Sequence, residues 1–116
     1  VDFIVPVPLH KKKLAKRGYN QSLCIAQGMS EILHIPISDG NLFRAIENPT
    51  QTKKSTYERW ENTKGIFDVN DGKLFDDKHL MLVDDVLTTG STLIACADAI
   101  KAKSNAKISV FTIACA

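Results

Sequence analysis

Apolar residues along this chain fall into short runs of strand length and two stretches of helical spacing, separated by polar segments. Phe3 to Val7 is such a run, broken by Pro6 and closed by Pro8, which predicts a strand that turns sharply into a loop. Ile25, Met29, Ile32 and Leu33 recur at the spacing of one helical face, and Asn20 ahead of them suits an N-cap. A helix is therefore expected over Gln21 to Leu33, with that face against a sheet. Ile35 to Ser38 and Leu42 to Arg44 are brief strand candidates. Between Arg44 and Ser55 the chain is polar and reads as a mobile loop, after which Ser55 and Glu58 have the spacing of a capping box for a short helix to about Thr63. Ile66 to Val69 predicts a strand, and Asn70-Asp71-Gly72 a turn of hairpin chemistry. Leu80 to Val83 predicts a buried parallel strand, Ser91 to Ala102 a helix, and Ile108 to Ala114 a final strand. Strand, helix, strand is the order of a βαβ unit with a right-handed crossover. The chain carries no internal repeat and no low-complexity segment.

The most informative stretch is Leu80 to Thr92. Its apolar run stops at Asp84-Asp85 and gives way to Thr88-Thr89-Gly90-Ser91-Thr92, a hydroxyl-rich turn around one glycine that leads into a helix. Ligands of open α/β sheets bind at the carboxyl ends of the strands, and a helix start there offers N–H donors and a partial positive charge suited to phosphate. Carboxylates just upstream can accept hydrogen bonds from the vicinal hydroxyls of a ribose. One ribose 5-phosphate would satisfy both halves of the loop. A plainer reading stands beside it: two acids ending a strand on solvent, with Thr88 or Thr89 acting as an N-cap. The loop lacks the glycine and lysine spacing of a nucleotide triphosphatase and the three glycines of a dinucleotide site.

Four apolar residues, then Asp84-Asp85, then Thr88 to Thr92 resemble the phosphoribosyl pyrophosphate (PRPP) motif of type I phosphoribosyltransferases. Pro6-Val7-Pro8-Leu9, Arg17-Gly18-Tyr19-Asn20-Gln21, Arg44, Gln51, and Arg59 to Asn62 with Gly65 and Phe67 resemble its ComF branch, named for competence for DNA uptake. The resemblance spans almost the whole chain. It implies one α/β domain over residues 1–116, a central mostly parallel sheet flanked by helices, with a small hood from about residue 35 to 69. It also implies roles. Asp84 and Asp85 would hold the ribose hydroxyls and, indirectly, magnesium; Thr88, Thr89, Gly90, Ser91 and Thr92 would enclose the 5-phosphate. The turn at Val7, Pro8, Leu9 and His10 would be the pyrophosphate loop, where two prolines remove two N–H donors. Arg17, Lys53, Lys54 and Arg59 are candidate cations for the diphosphate, against the plainer reading of solvated surface charge. Tyr19 and Trp60 would stack in the acceptor site or simply pack.

Composition narrows the setting. At 116 residues with a net charge of +2, the chain has the mix of an ordinary globular domain. No apolar run approaches the roughly 20 residues of a membrane span, and no signal-peptide pattern opens the sequence, so a cytoplasmic location is the default expectation. Lys11, Lys12, Lys13, Lys16 and Arg17 form a local basic cluster, most simply a solvated face. Cys24, Cys96 and Cys115 are widely spaced and read as small buried hydrophobes, which indicates neither a disulfide framework nor a zinc site. ComF relatives usually carry a cysteine-rich zinc segment ahead of the transferase domain. None is present here, and because Val1 adjoins the first strand, a truncated N-terminus is expected.

The expected activity is transfer of a phosphoribosyl group from PRPP, with magnesium, to an acceptor that no residue identifies, releasing pyrophosphate. Two other classes remain open: a module that binds PRPP or a nucleotide without turnover, and an interaction protein of DNA uptake that contacts single-stranded DNA or its machinery. No membrane partner is expected. Self-association is left open.

Overall fold

The computed structural model describes residues 1–9, 18, 20–45, 66–87 and 90–115. The expected loop after Ala45, the capping box at Ser55 and the helix to Thr63 lie outside the described residues.

Three parallel strands form the main sheet in the order β1 (Phe3–Pro6), β4 (His79–Leu87), β5 (Lys107–Cys115). Between them in the chain come α1 (Gln21–Leu33), an antiparallel ribbon of β2 (Leu42–Arg44) and β3 (Phe67–Val69), the single turn α2 (Gly72–Phe75), and α3 (Ser91–Lys103) connecting β4 to β5. A fourth, rudimentary strand flanks β1. Ile37 makes one parallel bridge to Ile4, with the Ile4 N–H donating to the Pro36 carbonyl at 3.0 Å and the Ser38 N–H to the Ile4 carbonyl at 2.9 Å. Pro6 is two residues beyond Ile4, so its ring nitrogen faces that outer edge and no ladder bond to β4 is lost.

Alternation along β4 sorts the core into two layers. Leu80 and Leu82 face the larger one, with Val5, Phe75, Leu93, Cys96 and Ile100, while Val83 joins Ile4 and Ala26 in the smaller one beneath α1. Leu42, Phe67 and Val69 of the ribbon share the larger core with β4 and α3. The Arg44 guanidinium lies over the Phe67 ring, 5.4 Å from its centroid, and adds cation–π attraction to that packing.

Several expectations change. The α1 face is shorter than its periodicity implied: Ile25 and Met29 pack on the sheet, but Ile32 is 79% exposed and Leu33 is exposed as well. Asn70-Asp71-Gly72 makes no hairpin turn, since β3 pairs with β2 and not with β4. Instead Asp71 caps α2 by accepting from the Lys73 N–H at 3.0 Å, and Gly72 is needed for close approach to the end of α3. Cys24 is exposed; Cys96 is buried, as expected. The Cys115 side chain falls outside the described ones. Among the described residues no helix is long and apolar enough to cross a membrane.

Candidate functional site

The β1 ladder to β4 runs from Phe3 opposite Leu80 to Pro6 opposite Val83, and ends with the Val7 N–H donating to the Val83 carbonyl at 2.9 Å. The β5 ladder goes further, pairing Asp84 with Thr112 and Leu87 with Cys115. Strand β4 therefore does not stop at the acid pair, as the apolar run alone implied. Its backbone continues through both carboxylates because ladder bonds to β5 are indifferent to side-chain polarity. On the β1 side, however, no described residue pairs with β4 beyond the Val7–Val83 bond, which leaves a gap among the described residues. That gap, at the carboxyl end of a parallel sheet, is where Asp84 and Asp85 sit.

Asp84 is half-buried, and its Oδ1 accepts from the Asp85 N–H at 2.9 Å and, more loosely, from the Ser22 hydroxyl at 3.4 Å. Its carboxyl is held above the usual carboxylate range, chiefly by burial and then by the side chain and charge of Asp85; the two donated bonds pull the other way. A half-buried carboxylate whose charged form is disfavoured, next to a second acid, is a place where bound hydroxyl donors or a cation gain. Burial pushes the Cys96 thiol up strongly, with the Asp84 charge adding to it. Cys96 is thus inert packing below the site.

Helix α3 opens on Gly90 with φ 79° and ψ −2°, a left-handed conformation natural to glycine, and the Ile94 N–H donates to its carbonyl at 2.9 Å. As the N-cap, Gly90 offers no side chain to cap this helix. The N-cap envisaged for Thr88 or Thr89 is thus taken by a residue without a side chain, and the first-turn N–H groups have no intrahelical acceptor.

Of the residues expected at the site, the structure describes Val7, Pro8, Leu9, Asp84, Asp85, Gly90, Ser91 and Thr92; His10, Arg17, Tyr19, Lys53, Lys54, Arg59, Trp60, Thr88 and Thr89 lie outside the described residues. It also brings in two whose contact with the site the motifs did not signal. Asn20 caps α1 through its Oδ1, which accepts from the Ser22 and Leu23 N–H groups, while its Nδ2 donates to the Val7 carbonyl at 3.2 Å. Ser22 is buried and holds Asp84. A signal was present for Ser22, which shares a helical stripe with Ala26 and Met29 where an apolar residue belongs.

Residues 20–115 match the model of the phosphoribosyl transferase domain family. The chain belongs to that family. It is similar to Competence protein F of Haemophilus influenzae, 40% identical over 91 residues that make up 78% of this chain and 40% of that protein. It is also similar to the DNA utilization protein YhgH of Escherichia coli K12, 32% identical over 112 residues, 97% of this chain and 48% of that one. The kinship with ComF-like proteins expected from the motifs is borne out. The chain spans less than half the length of these curated relatives. Among solved structures, purine phosphoribosyltransferase from Pyrococcus horikoshii superposes with a TM-score of 0.63 over 98% of this chain and 62% of that one, at 20% identity. At that identity the likeness speaks to the fold, and it agrees with the α/β class and parallel sheet read from the sequence.

Proposed function

We propose that this phosphoribosyl transferase domain binds PRPP and transfers its phosphoribosyl group to an acceptor nucleophile. One observation carries the proposal: Asp84 and Asp85 follow the point where the described β1–β4 pairing ends, and the next element opens on left-handed Gly90, an N-cap with no side chain. Sugar hydroxyls belong with the first feature and a phosphate with the second.

In such a transfer the acceptor forms a bond to the anomeric carbon as the C–O bond to the diphosphate breaks, and pyrophosphate leaves with the electron pair. The protein's part is to orient and to shield. Asp84 and Asp85 accept from the ribose hydroxyls, residues 88–92 surround the 5-phosphate, and the backbone from Val7 to His10 faces the diphosphate, with Arg17, Lys53, Lys54 and Arg59 as its candidate cations. Magnesium would help to neutralise the departing pyrophosphate. Among the described residues no cluster of three metal-ligating side chains exists. The Asp84–Asp85 pair suits an ion that keeps most of its waters and takes further oxygens from substrate phosphates.

Calorimetry with PRPP and magnesium, followed by a screen of acceptor bases and amines for pyrophosphate release, tests the proposal. Saturable binding and acceptor-dependent release are expected. Binding without release for any acceptor would reduce the domain to a PRPP-binding module. The names of the relatives, competence and DNA utilization, favour a second reading in which the site serves DNA uptake. Salt-sensitive binding of single-stranded DNA would mark it.

A further inference from the structure

The start of α1 touches both halves of the site. Asn20 ties the helix to the Val7 carbonyl at the end of β1 through Nδ2, and Ser22, the second residue of the helix, ties it to the Asp84 carboxylate of β4 through its hydroxyl. Both contacts are made by one short, rigid piece of backbone, because the Asn20 Oδ1 simultaneously accepts from the Ser22 N–H at 2.9 Å. Ser22 is 5% exposed on a stripe that continues through Ala26 and Met29 into the sheet. A hydroxyl buried on such a stripe costs stability unless it is hydrogen-bonded, and an alanine there would pack at no such cost. Its use is to be sought at Asp84.

We propose that Asn20 and Ser22 are positioning residues that set the spacing between the end of β1 and the Asp84 carboxylate, and thereby the distance between the diphosphate and ribose parts of the PRPP site. This rests on the phosphoribosyltransferase reading above. Neither side chain is assigned contact with the substrate. Asn20 acts through the β1 turn and Ser22 through the carboxylate, so the two should affect different parts of the ligand.

Calorimetry with two probes, magnesium PRPP and ribose 5-phosphate, on the whole chain and three variants separates these effects. Ser22→Ala leaves Asp84 misaligned and should weaken both ligands about tenfold, the scale expected from one lost hydrogen bond to a charged group. Ser22→Thr keeps a hydroxyl and should restore most of that loss. Asn20→Ser keeps an N-cap acceptor but is too short for the Val7 carbonyl. It should weaken PRPP about tenfold while changing ribose 5-phosphate less than about twofold. Thermal midpoints close to that of the unaltered chain are expected for all three. Affinities that do not change, or that fall equally for both probes in step with a lowered midpoint, would overturn the inference and leave the phosphoribosyltransferase reading standing. An unaltered chain that binds neither probe would overturn both.

Discussion

Lys103 reaches from the last turn of α3 to the β2–β3 ribbon, its Nζ 2.8 Å from Asp68 Oδ1 and 3.0 Å from the Val69 carbonyl oxygen. The ribbon's edge is thereby fastened to the helix that carries Gly90 at its other end. The Lys103 bond, with the Val69 N–H, holds the Asp68 carboxyl below the usual carboxylate range. A depressed folded pKa contributes stability above the ordinary range, and that contribution is lost as pH falls through the depressed value. Asp68→Asn should therefore lower the thermal midpoint modestly at neutral pH, with the gap closing in acid. Equal midpoint losses across the titration would show that the charge is not the cause.

Gly72 answers a steric demand. A Cβ there would fall inside contact distance of the Lys103 carbonyl oxygen and 2.9 Å from Lys103 Cβ. Backbone at the end of α3 yields little, so Gly72→Ala is expected to destabilise by about 1–3 kcal/mol, the range of overpacking in a tight contact. Chemical denaturation should show this as a lower midpoint with an unchanged slope.

Asp84→Asn should separate stability from binding. Because the folded state holds the Asp84 proton more tightly than the unfolded chain does, the ionised carboxylate costs stability at neutral pH. Asparagine keeps an acceptor for the Asp85 N–H and the Ser22 hydroxyl without that cost. The thermal midpoint should rise at neutral pH, and the advantage should vanish in acid, where Asp84 is protonated in both states. PRPP affinity should fall about a hundredfold, as charged acceptors for two ribose hydroxyls are weakened. A variant less stable at neutral pH would contradict the burial account.

Gly90→Val tests the loop. Its φ of 79° disfavours any branched side chain, and a Cβ would stand where the backbone is to approach the phosphate. Ribose 5-phosphate affinity should drop more than in Thr88→Ala. The reverse ranking would mean that hydroxyls, and not backbone N–H groups, hold the phosphate.

Much of this arrangement was legible from residue order alone. The 21–33 helix with its Asn20 cap, the Leu42–Arg44 strand and the βαβ unit around Asp84 follow from local periodicity and capping chemistry, and the family follows from the acid pair and its loop. What escaped depends on contacts distant in sequence. Asp71 and Gly72 carry the signature of a hairpin, but β3 finds its partner in β2, and the glycine serves the end of α3. The reach of β4 beyond Asp85 is decided by the length of β5. Ser22 stands out in the sequence only as a hydroxyl on an apolar stripe, and its partner is not evident until the sheet places Asp84 beside it.

The pairing of β1 with β4 has a consequence for how the molecule is assembled and handled. These strands meet across a sequence separation of 77 residues at the Asp2–His79 contact, and the gap that holds Asp84 is bounded by the end of β1. A nascent or partly unfolded chain in which β4, α3 and β5 have already come together would own the acid pair and the glycine turn, yet have no wall on the Val7 side. On the proposed function, affinity for PRPP would then gauge whether the N-terminal strand is docked. By mass action the ligand would draw that distant closure toward completion and slow its fraying.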